Sequence, residues 1–418
     1  MSSRASRRQG GFEWGLNDGI LGLIAWAMFL SFIVVWTAQS PSVEKTDFSL
    51  TYVGAKIVHD GMAQNLYDIN LQQALRSSLF RHPSPLLFEH PPFEALLLSP
   101  LGALPYSTAF MIWGFFNAAL LWLLTLLLRS YLPWPKEHLA YIFLWGLFAP
   151  VIVCLYQGQS SLLLLGGYCL AYVLLKSQKD FLAGIGFGLG LFKFQFVVPF
   201  VLIFLLRRRW RFLCGFTLSC LIFAVPSVIT VGPGGIWRYI RFLLAIGSNP
   251  QNESYGSAVD MPTIHGLIYA MIGTVANQRL LGAIVLLSSF AVLAWIAWRW
   301  RDDNQGSFDA MMAATVTASL ISGSHMFTHD FSPLALAMFL VGSRISNLGS
   351  DAASALRIAL RILLIILWAF PVYFVLVARH CLFLMCPVLL LLIYCSVRMA
   401  ETLQERQFSA PELAPTGY

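Results

Sequence analysis

The sequence has very little charge, because only 11% of its 418 residues are Asp, Glu, Lys or Arg. Soluble domains carry roughly a quarter charged residues, so this composition excludes an ordinary soluble protein. Apolar residues make up 58% of the chain and form long continuous runs. A spanning helix needs about 20 such residues, and the runs predict an all-α polytopic membrane protein with about 10–12 transmembrane helices.

The sequence also lacks the common cofactor and metal motifs: G-x-G-x-x-G, a Walker sequence, C-x-x-C and D-x-D. Its seven cysteines all lie in or beside apolar runs. We therefore expect no disulfide framework, no structural metal and no cofactor. The net charge of +7 comes from basic residues at the ends of apolar runs, as the positive-inside rule predicts. It indicates contact with membrane lipids and not a nucleic-acid partner.

The charge pattern predicts that the N- and C-termini are both cytoplasmic. The first apolar run, about 14–36, is longer than a signal-peptide core of about 7–15 residues, so we interpret it as an uncleaved helix. We expect one integral membrane domain over 1–400 and a polar, disordered cytoplasmic tail over 401–418. Two loops, about 38–92 and 232–278, are predicted to lie on the outer side.

One segment does not fit simple counting of spans. Residues 181–206 lie between the basic sequences "KSQK" and "RRRWR", which should both be cytoplasmic. Four glycines and Pro199 would permit a broken or re-entrant hairpin with Lys193 near its tip. The alternative is a single long span that violates the charge rule, and the sequence leaves both open.

Carboxylates and histidines recur in the segments predicted to be outside. Asp47 follows the first helix, and a carboxylate beside a wet cavity can take the proton of a hydroxyl; the alternative is a helix cap or a solvated charge. His325, His329 and Asp330 lie in "SHMFTHD". The histidine spacing is compatible with a metal, but no third ligand is evident nearby. Hydrogen-bonding or charge-stabilising roles are therefore favoured over a metal site, and anchoring of the helix end is the alternative.

Lys193 is a cation in an otherwise uncharged run. Such a residue costs roughly 2.5–3.5 kcal/mol on insertion scales, so it is a candidate functional site. A phosphate is its natural partner, and snorkelling to the interface is the alternative. Arg81 and His90, in "FRHPSPLLFEHPPFEA", could position a polar substrate, although such a Pro-rich loop can serve only to reverse the chain.

The order of these motifs resembles glycosyltransferase family 87. The similarity extends from Asp47 through "LYD", "HPPFEALLLSPLGALP", "GQSSLLL" and a Gly-rich run with Lys193 before "RRRW" to the late His-Asp pair. His90 stands where many relatives have Tyr. Family 87 contains GT-C-type membrane enzymes similar to mannosyltransferases that use a polyprenyl-phosphate sugar.

The resemblance implies an inverting transferase that moves a sugar, mannose by similarity, from a polyprenyl-phosphate donor to a hydroxyl of a lipid or glycan acceptor. It implies that Asp47 is the general base, at the outer face of a bacterial inner membrane. It also makes polar residues in the same motifs candidates for donor-phosphate or substrate binding: Lys193, His325, His329, Asp330, Tyr52, Lys56, Arg81, His90 and Gln159. No metal ligand is implied.

Two other functions remain open at this point. A transporter or lipid flippase is the first, although transporters often have broken helices at matching positions in two halves, and this sequence has one such segment. The second is a ligase or polymerase that uses a lipid diphosphate donor. An assay with defined lipid donors discriminates all three.

Overall fold

The computed structural model describes residues 16–82, 86–131, 147–248, 257–300, 305–349 and 354–409. Every regular element in these ranges is helical, as the apolar runs predict, and short 3₁₀ turns join several of them. The predicted span at about 139–156 lies partly outside the described residues. The α-helices in chain order are α1 (Leu16–Gln39), α2 (Phe48–His59), α3 (Ile69–Leu79), α4 (Pro92–Leu98), α5 (Tyr106–Leu128), α6 (Ala149–Gln157), α7 (Ser161–Lys176), α8 (Asp180–Phe187), α9 (Phe194–Leu206), α10 (Trp210–Ser248), α11 (Ile264–Ile272), α12 (Gln278–Arg299), α13 (Gln305–Ile321), α14 (Leu334–Arg344), α15 (Ser354–Trp368), α16 (Phe370–Ala378) and α17 (Met385–Ser409).

Six helical segments in the described ranges are long and apolar enough to cross a membrane: Tyr106–Leu128, Asp180–Leu206, Trp210–Ala245, Gln278–Arg299, Thr328–Leu348 and Leu382–Arg406. Helices α15 and α16 meet at a 62° bend and make a seventh if they cross together. Several other predicted spans are shorter apolar helices, among them α7 with 16 residues and α13 with 17. Apolar composition located these helices but did not fix where each one ends.

The segment 181–206 is one long span and not a re-entrant hairpin, so the single-span alternative is the one the structure has. Helices α8 and α9 are joined through a 3₁₀ turn, Gly188–Lys193. The glycines serve helix packing. A Cβ on Gly184 would lie 2.1 Å from the carbonyl oxygen of Phe212, and one on Gly215 would lie 1.9 Å from that of Phe181. Small residues thus let α8 and α10 approach closely, as in other membrane helix pairs.

The predicted first outer loop is folded: it contains α2 and α3, and α4 begins where it ends. Its inner face buries Arg76, whose guanidinium donates to Ser49 Oγ at 3.0 Å and to the carbonyl of Leu86. Burial lowers the pKa of Arg76 to about 10. The Gln72 side chain accepts from the Phe88 backbone N–H at 2.7 Å and donates to the Phe88 carbonyl at 3.3 Å. These buried hydrogen bonds hold the first outer loop in a fixed position beside the spans.

The predicted second outer loop also begins in a helix. Helix α10 bends at Gly232, whose φ of 71° interrupts the helical backbone, and it continues to Ser248. At the C-terminus, α17 extends to Ser409, into the segment for which a disordered tail was expected. The rest of that tail lies outside the described residues.

A buried ionic network joins the ends of three helices. Asp309 on α13 is fully buried and lies 2.6 Å from Lys176 Nζ on α7 and 2.6 Å from an Arg344 nitrogen on α14. Tyr172 donates to the same carboxylate at 2.9 Å. The opposite ends of α7 and α13, and the start of α14, lead to the cleft described next.

Candidate active site

Asp47 is the residue immediately before α2, the N-cap position, where a side chain often caps the helix, but its carboxylate makes no capping hydrogen bond. Its backbone N–H donates to Gln157 Oε1 at 3.1 Å, and its Oδ2 accepts from Gln159 Nε2 at 2.8 Å. Gln157, at the end of α6, and Gln159, in the turn before α7, therefore hold Asp47. The carboxylate is 21% exposed, so a substrate can reach it.

Gly158 lies between these two glutamines and ends α6 with a φ of 65°. An added Cβ there would lie 2.7 Å from Phe48 Cβ. The Gly158 carbonyl accepts from Trp113 Nε1 at 2.8 Å. Only glycine adopts this backbone conformation without strain, and its missing side chain lets the turn lie directly against the start of α2.

Lys193 lies on the far side of Gln159 from Asp47. Its Nζ donates to Gln159 Oε1 at 2.8 Å and lies 3.3 Å from Asp330 Oδ1. Gln159 therefore donates to the carboxylate through one end of its amide and accepts from the ammonium through the other. Lys193 is 5% exposed, so the cation predicted from the sequence is deeply buried and paired.

Asp330 is held by several partners and is 1% exposed. Ser161 Oγ donates to its Oδ1 at 2.7 Å, and the Phe327 N–H donates to its Oδ2 at 3.1 Å. Lys193 also lies beside Oδ1, so both oxygens of the Asp330 carboxylate have polar or charged partners. These contacts join Asp330 to Lys193 and to the turn that carries His329.

His329 lies between the two carboxylates. Its Nε2 is 3.4 Å from Asp330 Oδ2, and its Nδ1 is 3.9 Å from Asp47 Oδ2. The second distance is too long for a hydrogen bond. The gap between His329 and Asp47 is therefore where a hydroxyl could meet both groups.

One cleft of about 140 Å³ is lined by Asp47, Gln159, Lys193, His329 and Asp330. His90 also lines it, and its Nδ1 contacts Glu94 Oε1 at 2.8 Å. His325 lies on the same wall, and burial lowers its pKa to about 4. That ring is neutral at pH 7. The structure thus brings together seven of the predicted site residues: Asp47, His90, Gln159, Lys193, His325, His329 and Asp330.

The glycosyltransferase family 87 model matches residues 88–323, which is more than half of the chain. The chain belongs to glycosyltransferase family 87. It is thus a multi-pass membrane glycosyltransferase of the GT-C type, and Gln159 and Lys193 lie within the matched range. A search of curated proteins and a search of solved structures each found no match.

The structure does not bring three of the predicted residues to the cleft of this family 87 enzyme. Tyr52 donates to the Leu104 carbonyl at 2.6 Å. Lys56 forms an exposed pair with Asp60 at 3.2 Å, and the exposed Arg81 donates its backbone N–H to Glu44 at 2.8 Å. Tyr52 and Lys56 lie on α2, Arg81 follows the end of α3, and none of the three lines the cleft.

Sequence reasoning missed the roles of Ser161, Gln157 and Glu94 in supporting the site of this family 87 enzyme. The first two belong to "YQGQSS", a polar turn between apolar runs, which was the available signal. Glu94 is fully buried beside His90, and the four-residue spacing of the pair, which spans the start of α4, was the available signal. In the described ranges, no group of three or more His, Cys, Asp or Glu could hold a metal ion.

Proposed function

We propose that this family 87 enzyme transfers a sugar, mannose by family resemblance, from a polyprenyl-phosphate donor to an acceptor hydroxyl, with Asp47 as general base. The observation that carries the proposal is the bridge through Gln159. It holds a partly exposed carboxylate and a buried ammonium on opposite sides of one amide, each at 2.8 Å. A base and a cation in this relation suit an attacking hydroxyl and a departing phosphate.

Lys193 is the group proposed to bind the donor phosphate. An ammonium has three hydrogens; two are directed to Gln159 and Asp330, and the third is left for a phosphate oxygen. Among the described residues of the cleft wall, Lys193 is the only lysine or arginine. One fixed cation matches the single negative charge of a sugar phosphodiester better than the two charges of a lipid diphosphate.

Three carboxylates line the cleft, those of Asp47, Glu89 and Asp330, and we infer a single displacement with inversion from the family resemblance. Asp47 can approach a substrate, whereas Asp330 is 1% exposed and has hydrogen-bond donors on both oxygens. A retaining reaction through a covalent intermediate needs a second carboxylate as nucleophile. Direct attack by the acceptor oxygen, with Asp47 taking its proton, needs only one.

The outward direction of the site is part of the proposal. The positive-inside rule assigns both termini to the cytoplasm, and the cleft then faces the outer side of a bacterial inner membrane. Polyprenyl-linked sugars suit this side, because the donor carries its own membrane anchor and its own leaving group.

A panel of defined donors tests the proposal. The purified protein would be incubated in lipid nanodiscs with a polyprenyl-phosphate mannose, a polyprenyl-phosphate glucose, a lipid diphosphate sugar and a nucleotide sugar. We expect transfer from the polyprenyl-phosphate mannose, with inverted anomeric configuration in the product by NMR. Turnover only with a diphosphate or nucleotide donor, or a retained configuration, would refute it.

A further inference from the structure

A second cavity, which we call the aromatic pocket, adjoins the catalytic cleft. It has a volume of about 420 Å³ and is lined mainly by side chains of α6 and α16. Three residues line both cavities, namely Asp47, Phe327 and His329. The proposed base is therefore in a wall that two spaces share.

The two spaces differ in charge. Lys193 lines the catalytic cleft but not the aromatic pocket, and among the described residues no lysine or arginine lines the pocket. Gln157 and Thr328 contribute polar groups beside Asp47. A phosphate anion therefore fits the cleft, and an uncharged polar group such as a hydroxyl fits the pocket.

One side of the aromatic pocket is apolar and exposed. Phe370 and Phe374 line it and are 51% and 67% exposed. They belong to α16, whose sequence "FPVYFVLVA" has no charged residue and which starts beyond the 62° bend after α15. In a membrane protein, an exposed apolar helix face contacts lipid tails, so the pocket leads from the bilayer to Asp47.

We propose that the aromatic pocket binds the acceptor, and that the acceptor is a membrane amphiphile. Its apolar part lies along α16, and its hydroxyl reaches Asp47 between Gln157 and His329. The inference rests on the proposed function, in which Asp47 is the base. The hydroxyl proton passes to Asp47, the acceptor oxygen bonds to the anomeric carbon, and the bond from that carbon to the phosphate oxygen breaks with its electron pair left on the phosphate.

Two valines on α16 provide a matched pair of variants. Val377 lines the aromatic pocket and Val375 does not, although their exposed fractions are similar, at 46% and 53%. Val377→Trp should fill the pocket. Val375→Trp adds the same bulk to the same helix outside the pocket and serves as the control.

The probe is octyl mannoside with a diazirine on its alkyl chain, which combines sugar hydroxyls with a short apolar tail. Purified protein in lipid nanodiscs is irradiated over a range of probe concentrations, and labelled peptides are mapped by mass spectrometry. We expect saturable labelling in α6 or α16 that unlabelled octyl mannoside competes away and methyl mannoside does not. Exclusion of even two methylene groups from the pocket should weaken half-saturation about tenfold or more in Val377→Trp.

Val375→Trp should retain the parent half-saturation. Val153→Trp fills the same pocket from α6, and its weakened labelling would show that the effect does not come from a damaged α16. Equal labelling of Val375→Trp and Val377→Trp, no saturable labelling, or labelling confined to the cleft segment 86–91 would overturn the inference.

Asp47→Asn separates this inference from the proposed function, because photolabelling needs no turnover. If that variant transfers sugar normally while the pocket is still labelled, the proposed base is wrong and the binding site stands. If it loses turnover but the label lies elsewhere, the base stands and the acceptor site is wrong.

Discussion

Asp47→Asn is the substitution that most directly tests the chemistry. It removes the negative charge and the proton-accepting ability but keeps the size of the side chain. The amide oxygen of Asn can still accept from Gln159 Nε2, which lies 2.8 Å from Asp47 Oδ2. The backbone N–H that donates to Gln157 is unaffected. The substitution therefore changes the base with little change to its surroundings.

General-base catalysis contributes about 10²–10⁴-fold, which corresponds to about 3–5 kcal/mol of activation free energy. We expect turnover by Asp47→Asn to fall by that factor. A capping side chain contributes about 1 kcal/mol to helix stability, but Asp47 makes no capping hydrogen bond to α2. The thermal midpoint should therefore stay close to that of the parent protein.

The assay measures initial transfer rates at saturating polyprenyl-phosphate mannose with octyl mannoside or extracted membrane lipids as acceptor, together with the donor dissociation constant. Asp60→Asn is the control, because Asp60 forms an exposed pair with Lys56 at 3.2 Å, and such pairs contribute about 0–1 kcal/mol. It should leave turnover nearly unchanged. Transfer by Asp47→Asn at near the parent rate would refute the assignment.

Lys193→Gln should raise the donor dissociation constant by about 10–100-fold, because a charge-assisted hydrogen bond is worth about 1.5–3 kcal/mol. Unchanged donor affinity in a poorly expressed protein would instead indicate a purely structural lysine. Glu94→Gln removes the charge beside His90 Nδ1, 2.8 Å away, and should raise the KM for the donor with little change in acceptor KM; a loss of thermal stability alone would contradict this. In a cysteine-free background, a cysteine replacing the exposed Ser77 should react with an impermeant reagent from outside, and one replacing the exposed Ser346 should not. Labelling of both from the same side would overturn the proposed topology.

The sequence predicted the helical membrane architecture because apolar length and flanking basic charge both act locally along the chain. It could not choose between a hairpin and a span at 181–206. The glycines there would permit either a chain reversal or close helix packing, and in the structure they let α8 pack against α10. The contacts of Gly184 and Gly215 with a neighbouring backbone are tertiary facts that no local pattern contains.

The site was predictable in part for the same reason. Topology placed Asp47, Gln159 and His329 on one side without any coordinates, and the structure joins them in one cleft with Lys193. Tyr52 became a candidate for substrate binding through the resemblance to family 87. Helix α2 instead turns its hydroxyl to the Leu104 carbonyl, and the direction of a side chain on a short helix depends on what packs against that helix.

The bridge through Gln159 has a consequence for the electrostatics of the proposed reaction. As the acceptor loses its proton, Asp47 changes from one negative charge to none, and the departing phosphate gains one. The total charge in the site is constant, and a unit of negative charge moves from the carboxylate side of the amide towards the ammonium of Lys193. Creation of a new charge in a low-dielectric interior is costly, whereas migration of an existing one towards a cation lowers the electrostatic energy of the products. In the proposed reaction, negative charge therefore moves from the Asp47 side of the Gln159 amide to its Lys193 side.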